Sequence, residues 1–321
     1  MFDTRVTRML GIRYPVIGGV MAQVTTPEFV AAISNAGGMG VLPSISHQSH
    51  DQFVEALRQV RRFTDKPFAV NLNFFPARFP VPQHEYAEIM AREGVMIVET
   101  SGHGAPPEEL CAFFKEKGMI WIHKCAGLRY ALKAQELGAD IVTVVGYENG
   151  GATGRFDIGT MVLVPTVSSA LEVPMIGGGG VVNGKGLASL LALGAEAVIM
   201  GTRFLLTQEC PVHGNLKQAL LNATEVDTML IMRTVGTHRV WKNGAAVKCA
   251  EIEESGASFE EILQVVSGDN TLKVYKEGEL DSGIVPCGQG IGQIHDLPTV
   301  RELFDNIIDE AREAIRRMEP N

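Results

Sequence analysis

The chain has 321 residues, 45% of them hydrophobic and 20% charged, with 35 glycines and a net charge of −9. That balance belongs to a globular protein rich in tight turns, long enough for one large α/β barrel or two average domains. The acidic surplus argues against nucleic acid or an anionic membrane as partner, since both select a basic face, and it leaves small molecules. No apolar run approaches the ~20 residues needed to span a bilayer, and the opening MFDTRVTRMLGI lacks a signal-peptide core, so a cytoplasmic location is expected. Five cysteines (Cys111, Cys125, Cys210, Cys249, Cys287) form no C-x-x-C pair, which disfavours structural zinc, an iron–sulfur cluster or a disulfide framework. No metal site is expected.

In chain order, the apolar Pro15 to Ile17 ends in two glycines and is followed by a helix from Pro27 to Asn35 with proline in its first turn. The pattern then repeats. Strands are predicted at Met39 to Leu42, Phe68 to Leu72, Met96 to Thr100, Ile120 to His123 and Ile141 to Val145. Their helices are predicted at Asp51 to Phe63, Gln83 to Arg92, Pro107 to Lys117, Leu128 to Leu137 and Gly159 to Leu171. The third strand leads into a long Pro-rich loop, NFFPARFPVP.

From Val173 to Phe204 the chain reads VPMIGGGGVVNGKGLASLLALGAEAVIMGTRF. Met175 and Ile176 break into four glycines, Gly186 to Leu193 has helical spacing, and Ala197 to Met200 is a further strand ending in Gly-Thr. These make eight short strands, each followed by a helix, as strands covered on both faces require. The fold class is therefore α/β, a (β/α)8 TIM barrel, preferred to an open doubly wound sheet. Residues 1–208 and 291–321 form the barrel, with Pro298 to Met318 as its last outer helix. Residues 209–290, where helical patches such as Phe259 to Val266 alternate with loops, form a mainly helical insertion after strand eight that covers one barrel end.

Barrel active sites lie at the carboxyl ends of the strands. Glycines there let backbone N–H groups approach an anion, so the turns after the last two strands suggest a phosphate seat, although such glycines equally serve tight turns. The other ends present amides, Lys124 and His103. They lack the carboxylate pair of a glycosidase and the His/Asp/Glu cluster of a metal hydrolase. Lys124 projects from a strand end as a fixed positive charge for an anionic cofactor locus, as a Schiff-base lysine or as a surface charge. His123 falls on the opposite face of the strand as a packed structural residue. His47, His50, His84, His213, His238 and His295 show no partner pattern.

The ordered set of Gly19-Val20-Met21, Asn71 in VNLN, His123-Lys124, Glu148 with Gly150-Gly151, Gly178-Gly179-Gly180 and GTRF at Gly201 to Phe204 resembles the nitronate monooxygenase (2-nitropropane dioxygenase) family. Flavin-dependent enoyl-thioester reductases and NADH:quinone reductases are its relatives. The likeness runs through ECP at Glu209 to Pro211 and LIMR at Leu230 to Arg233. It implies a TIM barrel holding FMN noncovalently, with the phosphate on Gly179, Gly180, Gly201 and Thr202 and with Gly178 and Gly151 among the contacts. Val20, Met21 and Ala22 would line the flavin, Asn73 would reach it, and Lys124 would approach its N1/O2 edge. The implied activity is oxidation of alkyl nitronates with O2. The alternatives are an NAD(P)H-dependent quinone or enoyl-thioester reductase, a flavin-binding sensor, and a barrel lyase using Lys124. A homodimer is within the expectation. One departure stands out: the family's catalytic histidine position is held by Ala152, so the catalytic residue is unknown.

Overall fold

Strands that are three to six residues long and apolar on both faces can be satisfied only when both faces are covered. A computed structural model describes residues 2–75, 82–102, 104–233 and 236–318. It contains β1 (Val16–Gly18), β2 (Val41–Pro43), β3 (Ala69–Asn73), β4 (Ile97–Ser101), β5 (Ile120–Cys125), β6 (Ile141–Val145), β7 (Met175–Gly178) and β8 (Ala197–Met200). All pair in parallel in the order β1-β8-β7-β6-β5-β4-β3-β2. Ile17 bridges to Met39 ahead of β2, and the Gly18 N–H donates to the Met39 carbonyl at 2.9 Å, which closes the sheet into the expected (β/α)8 barrel.

Side chains alternate across each strand. Ala69, Ile97, Ile122, Ile141, Ile176 and Ala197 fill the barrel interior, while Val70, Val98, Trp121, Val142 and Val198 pack against the helix layer. Each helix start is signalled locally. The Thr26, Ser49 and Asn183 side chains accept from the N–H three residues on, and Thr299 and Glu302 form a capping box ahead of Val300–Arg316. That last helix buries Leu303, Phe304, Ile307 and Ile308, each stabilising the fold by ~1.5–3 kcal/mol. It lies so close to Gly184–Ala192 that a Cβ on Gly184 would sit 2.2 Å from the Ile307 carbonyl oxygen.

Residues 209–290 carry the helices Gly214–Leu221, Gly244–Glu254, Phe259–Val266 and Gly268–Glu277. They also carry a hairpin where the sequence pattern predicts loop: β9 (Thr228–Ile231) pairs antiparallel with β10 (His238–Trp241). In turn β10 pairs with a two-residue strand, Gly151–Ala152, in the loop after β6. The hairpin is illegible locally because β9 is only partly buried, and the second partner of β10 lies more than eighty residues away in sequence. His103 and residues 76–81 of the Pro-rich loop lie outside the described residues. No helix among the described residues is long and apolar enough to cross a membrane.

Candidate active site at the mouth of the barrel

A cavity of about 1120 Å³ opens at the carboxyl ends of the strands, the position that serves catalysis in this fold. Every barrel strand end contributes to its wall, and Arg233, His238, Thr271, Tyr275 and Pro286 reach it from the segment after β8. Of the residues singled out from sequence, Val20, Met21, Ala22, Asn73, Lys124, Gly151, Gly179, Gly180, Gly201 and Thr202 border it, as does Ala152. Gly178 ends β7 behind the wall, where an added Cβ would sit 2.4 Å from the Ile199 side chain.

The glycine turn after β7 runs with Gly179 at φ +99° and Gly180 at φ +75°, the left-handed region that glycine enters without steric cost. A Cβ on Gly179 would lie 2.6 Å from Thr160 Oγ1 and 2.8 Å from the Gly146 nitrogen. Gly201 is the opposite case: nothing lies within 4 Å of its Cβ position, so its backbone is bare towards the cavity. The N–H groups of Gly180, Gly201 and Thr202 meet no acceptor among the described residues. Thr202 Oγ1 accepts from the Gly288 N–H at 2.9 Å, tying this turn to the segment after β8. Glu148 is already engaged, its Oε2 accepting from the Thr160 N–H at 2.9 Å and the Thr160 hydroxyl at 2.8 Å. Its carboxylate thus serves the first turn of the helix Thr160–Ser168.

Cross-strand register assembles the floor. Asn71 faces Glu99 and Ser101 faces Lys124. Lys124 Nζ donates to Glu99 Oε1 at 3.1 Å, and Asn71 Nδ2 donates to the same oxygen at 2.7 Å. The Glu99 side chain is 2% exposed and that of Lys124 19%, so the lysine is a paired charge in the cavity wall. This disposes of a free surface lysine. Glu99 is hidden in the sequence because Met96 to Thr100 reads as an apolar strand. The signal was there, since a carboxylate inside a strand covered on both faces requires a partner. His123 sits on the outward face, its Nδ1 2.9 Å from Thr100 Oγ1. Burial, then the neighbouring Lys124 charge, pushes its imidazole down to about 4, so the ring is neutral and structural. Cys125 borders the cavity, yet burial lifts its thiol to about 12 and leaves no thiolate nucleophile. All five cysteines are free and buried.

Over this floor hangs β10, in which His238 pairs directly with Ala152. His238 Nδ1 lies 2.6 Å from the Gly236 carbonyl oxygen. The next residue, Arg239, is buried and turned away, its Nε donating to the Tyr147 carbonyl at 3.1 Å. Arg129, Arg155 and Arg233 stand at the exposed rim, with Phe156 between two of them in sequence and 77% exposed.

The family model described as nitronate monooxygenase matches residues 3–310. A (3aS,4S,5R,7aS)-5-hydroxy-7a-methyl-1-oxo-octahydro-1H-indene-4-carboxyl-CoA dehydrogenase of Rhodococcus jostii (strain RHA1) is 31% identical over 96% of this chain and 95% of its own. A probable nitronate monooxygenase of Staphylococcus saprophyticus is 30% identical over 71% of this chain and 75% of its own. The structure of FabK from Thermotoga maritima superposes with a TM-score of 0.89 at 31% identity, covering 99% of both chains. A barrel with this cavity and these relatives, matched across nearly its whole length, is an oxidoreductase with a small-molecule substrate, and the chain belongs to the nitronate monooxygenase family.

Proposed function

We propose that the chain is an FMN-dependent oxidoreductase acting on an acyl thioester whose carrier bears phosphate groups. The observation that carries the substrate class is the rim. Three guanidinium groups, Arg129, Arg155 and Arg233, border the mouth of a chain whose net charge is −9. Such a rim suits the phosphates of a coenzyme A thioester or of a nicotinamide dinucleotide, for which arginine forks are well matched. The exposed Phe156 beside Arg155 offers a stacking face for an adenine ring. The likeness to a CoA-thioester dehydrogenase supports the same class.

The residues present fit a flavin mononucleotide. The bare N–H groups of Gly180, Gly201 and Thr202 suit one terminal phosphate. Val20, Met21 and Ala22 supply an apolar wall with Asn73 and Gly151 bordering it, and Lys124 supplies a positive charge held in place by Glu99. When bound, the flavin supplies two-electron redox chemistry, while the protein orients the reactants and sets the local charge. Residues 209–290 are assigned as the roof that keeps water out, over a flavin-binding barrel of residues 1–208 and 291–321. A cytoplasmic location belongs to the same proposal, supported by five unpaired cysteines.

A second reading, oxidation of alkyl nitronates with O2, is favoured by the family match itself. Anaerobic mixing of the yellow holoprotein with NADH, NADPH, crotonyl-CoA, butyryl-CoA and propane-2-nitronate in turn, followed by flavin absorbance, separates the two. Reduction by NAD(P)H and reoxidation by crotonyl-CoA are expected. Bleaching by the nitronate alone would replace the thioester reading with the second one, and a protein without flavin would end both.

A further inference from the structure

We infer that the Tyr275 hydroxyl is a donor of the flavin's phosphate seat, carried to it by the segment after β8. The inference rests on the reading of the cavity as a flavin site, and it adds a side chain to a seat otherwise made of backbone N–H groups.

Gly268, Thr271 and Tyr275 recur at three and four residues along the helix Gly268–Glu277, so they share one face, and all three border the cavity. Two contacts fix where that face lies. At the first turn, a Cβ on Gly268 would sit 2.6 Å from Gln23 Nε2, in the loop after β1. At the last turn, the Tyr275 carbonyl accepts from the His213 N–H at 2.7 Å, and His213 lies on the run that leaves the short helix Thr202–Leu205. Tyr275 therefore stands on the β8 side of the mouth, the side of Gly201 and Thr202. The Cys287 thiol marks the same neighbourhood, since it interacts with Thr202 and with the Tyr275 phenol. Arg129 and Arg155 follow β5 and β6 instead.

The Tyr275 side chain is 6% exposed and belongs to the same apolar cluster as Leu205, Cys210 and Cys287. Its hydroxyl nevertheless meets no hydrogen-bond partner among the described residues and is not sealed in the core, so it opens into the cavity. A hydroxyl withdrawn from water without a partner costs free energy, which an acceptor in the cavity recovers. Burial, then the nearby Cys210 and Cys287 thiols, lifts the phenol well above its usual range, so it stays an O–H donor at every working pH. A phosphate dianion only accepts, and the bond between them is charge-assisted. Two neighbouring hydroxyls are already engaged: Thr271 Oγ1 donates to the Ile284 carbonyl at 3.2 Å, and Thr202 Oγ1 accepts from the Gly288 N–H.

The test strips flavin from full-length wild type, Tyr275→Phe and Tyr275→Met. Each is titrated with FMN and, separately, with riboflavin, which lacks the phosphate, and Kd is read from flavin fluorescence. Tyr275→Phe keeps the ring and removes only the oxygen. Its Kd for FMN should rise ~10–100-fold, the worth of a hydrogen bond to a charged acceptor, while its Kd for riboflavin stays within about 2-fold of wild type. The ³¹P resonance of bound FMN should shift between wild type and Tyr275→Phe. Tyr275→Met should show the same FMN-selective loss, and it decides the matter if Tyr275→Phe fails to fold. The inference is overturned by a folded variant whose Kd for FMN lies within about 2-fold of wild type. It is equally overturned if FMN and riboflavin weaken together, which would put the hydroxyl against the ring or the ribityl chain. Wild type that binds neither flavin would sink the functional reading and this inference with it, a failure visible before any substitution is made.

Discussion

Lys124→Met should destabilise the protein by about 3 kcal/mol and make the flavin harder to reduce, and both effects should largely vanish when Glu99→Gln is added. The magnitude follows from the floor of the cavity. Removing one partner of a buried ion pair costs ~3–5 kcal/mol, because the other charge stays buried without compensation. Glu99 is 2% exposed, so water cannot take the place of the lysine, but the Asn71 amide remains at 2.7 Å and holds the loss to the lower end. An unfolding entropy of ~2.1 cal/mol/K per residue over 321 residues means that 3 kcal/mol lowers the melting temperature by about 4–5 °C. Paired, the floor carries no net charge towards the cofactor; in Lys124→Met it carries −1, which opposes the gain of electrons there. Thermal unfolding by circular dichroism and a spectroelectrochemical titration of the four proteins of the double-mutant cycle check both effects. If Lys124→Met melts within about 1 °C of wild type, or if the two substitutions are simply additive, the pair is not coupled and the floor has been misread.

Gly179→Ala should cost on the order of 1–3 kcal/mol of stability and lower flavin content, because its Cβ would meet Thr160 Oγ1 and the Gly146 backbone at φ +99°; a variant with unchanged melting and full flavin would refute this. Thr202→Glu should release the flavin while the fold persists, since a carboxylate beside the phosphate seat costs several kcal/mol at an effective dielectric of about 20; the absorbance ratio of visible to protein bands reads it, and stoichiometric flavin would move the seat elsewhere. His123 makes the protein acid-sensitive. Its buried ring titrates near 4 whereas the unfolded ring titrates near 6.5, so between those values the unfolded state binds the extra proton and stability falls as pH drops. The loss should reach roughly 3 kcal/mol by pH 4, and His123→Leu should flatten that part of the stability–pH curve measured by urea unfolding; a parallel curve would assign the acid sensitivity to other groups.

The eight strand–helix units could be read from sequence because their causes are local. An apolar run, a glycine or Gly-Thr turn, and a capping residue before the next helix all fall within about thirty residues of one another, as from Met175 to Thr202. The same locality exposed the glycines of the turns after β7 and β8, since Gly179-Gly180 and Gly201 follow directly on those strands. Lys124 was visible as a polar residue at a strand end, but its partner was not, because which residue faces it depends on the register of β4 against β5, and register is set by closure of the whole barrel. Only the folded chain therefore shows that Glu99, twenty-five positions earlier, neutralises it. The segment after β8 is the extreme case. Ala152 alone reads as a lost catalytic group, and His238 alone reads as a histidine without company. They come together at the cavity wall only through an antiparallel pairing between segments more than eighty residues apart. The strand periodicity of two is written in the chain, but the choice of partner for a two-residue strand rests on where the hairpin lands after the barrel has formed, and no local pattern of residues encodes that distance.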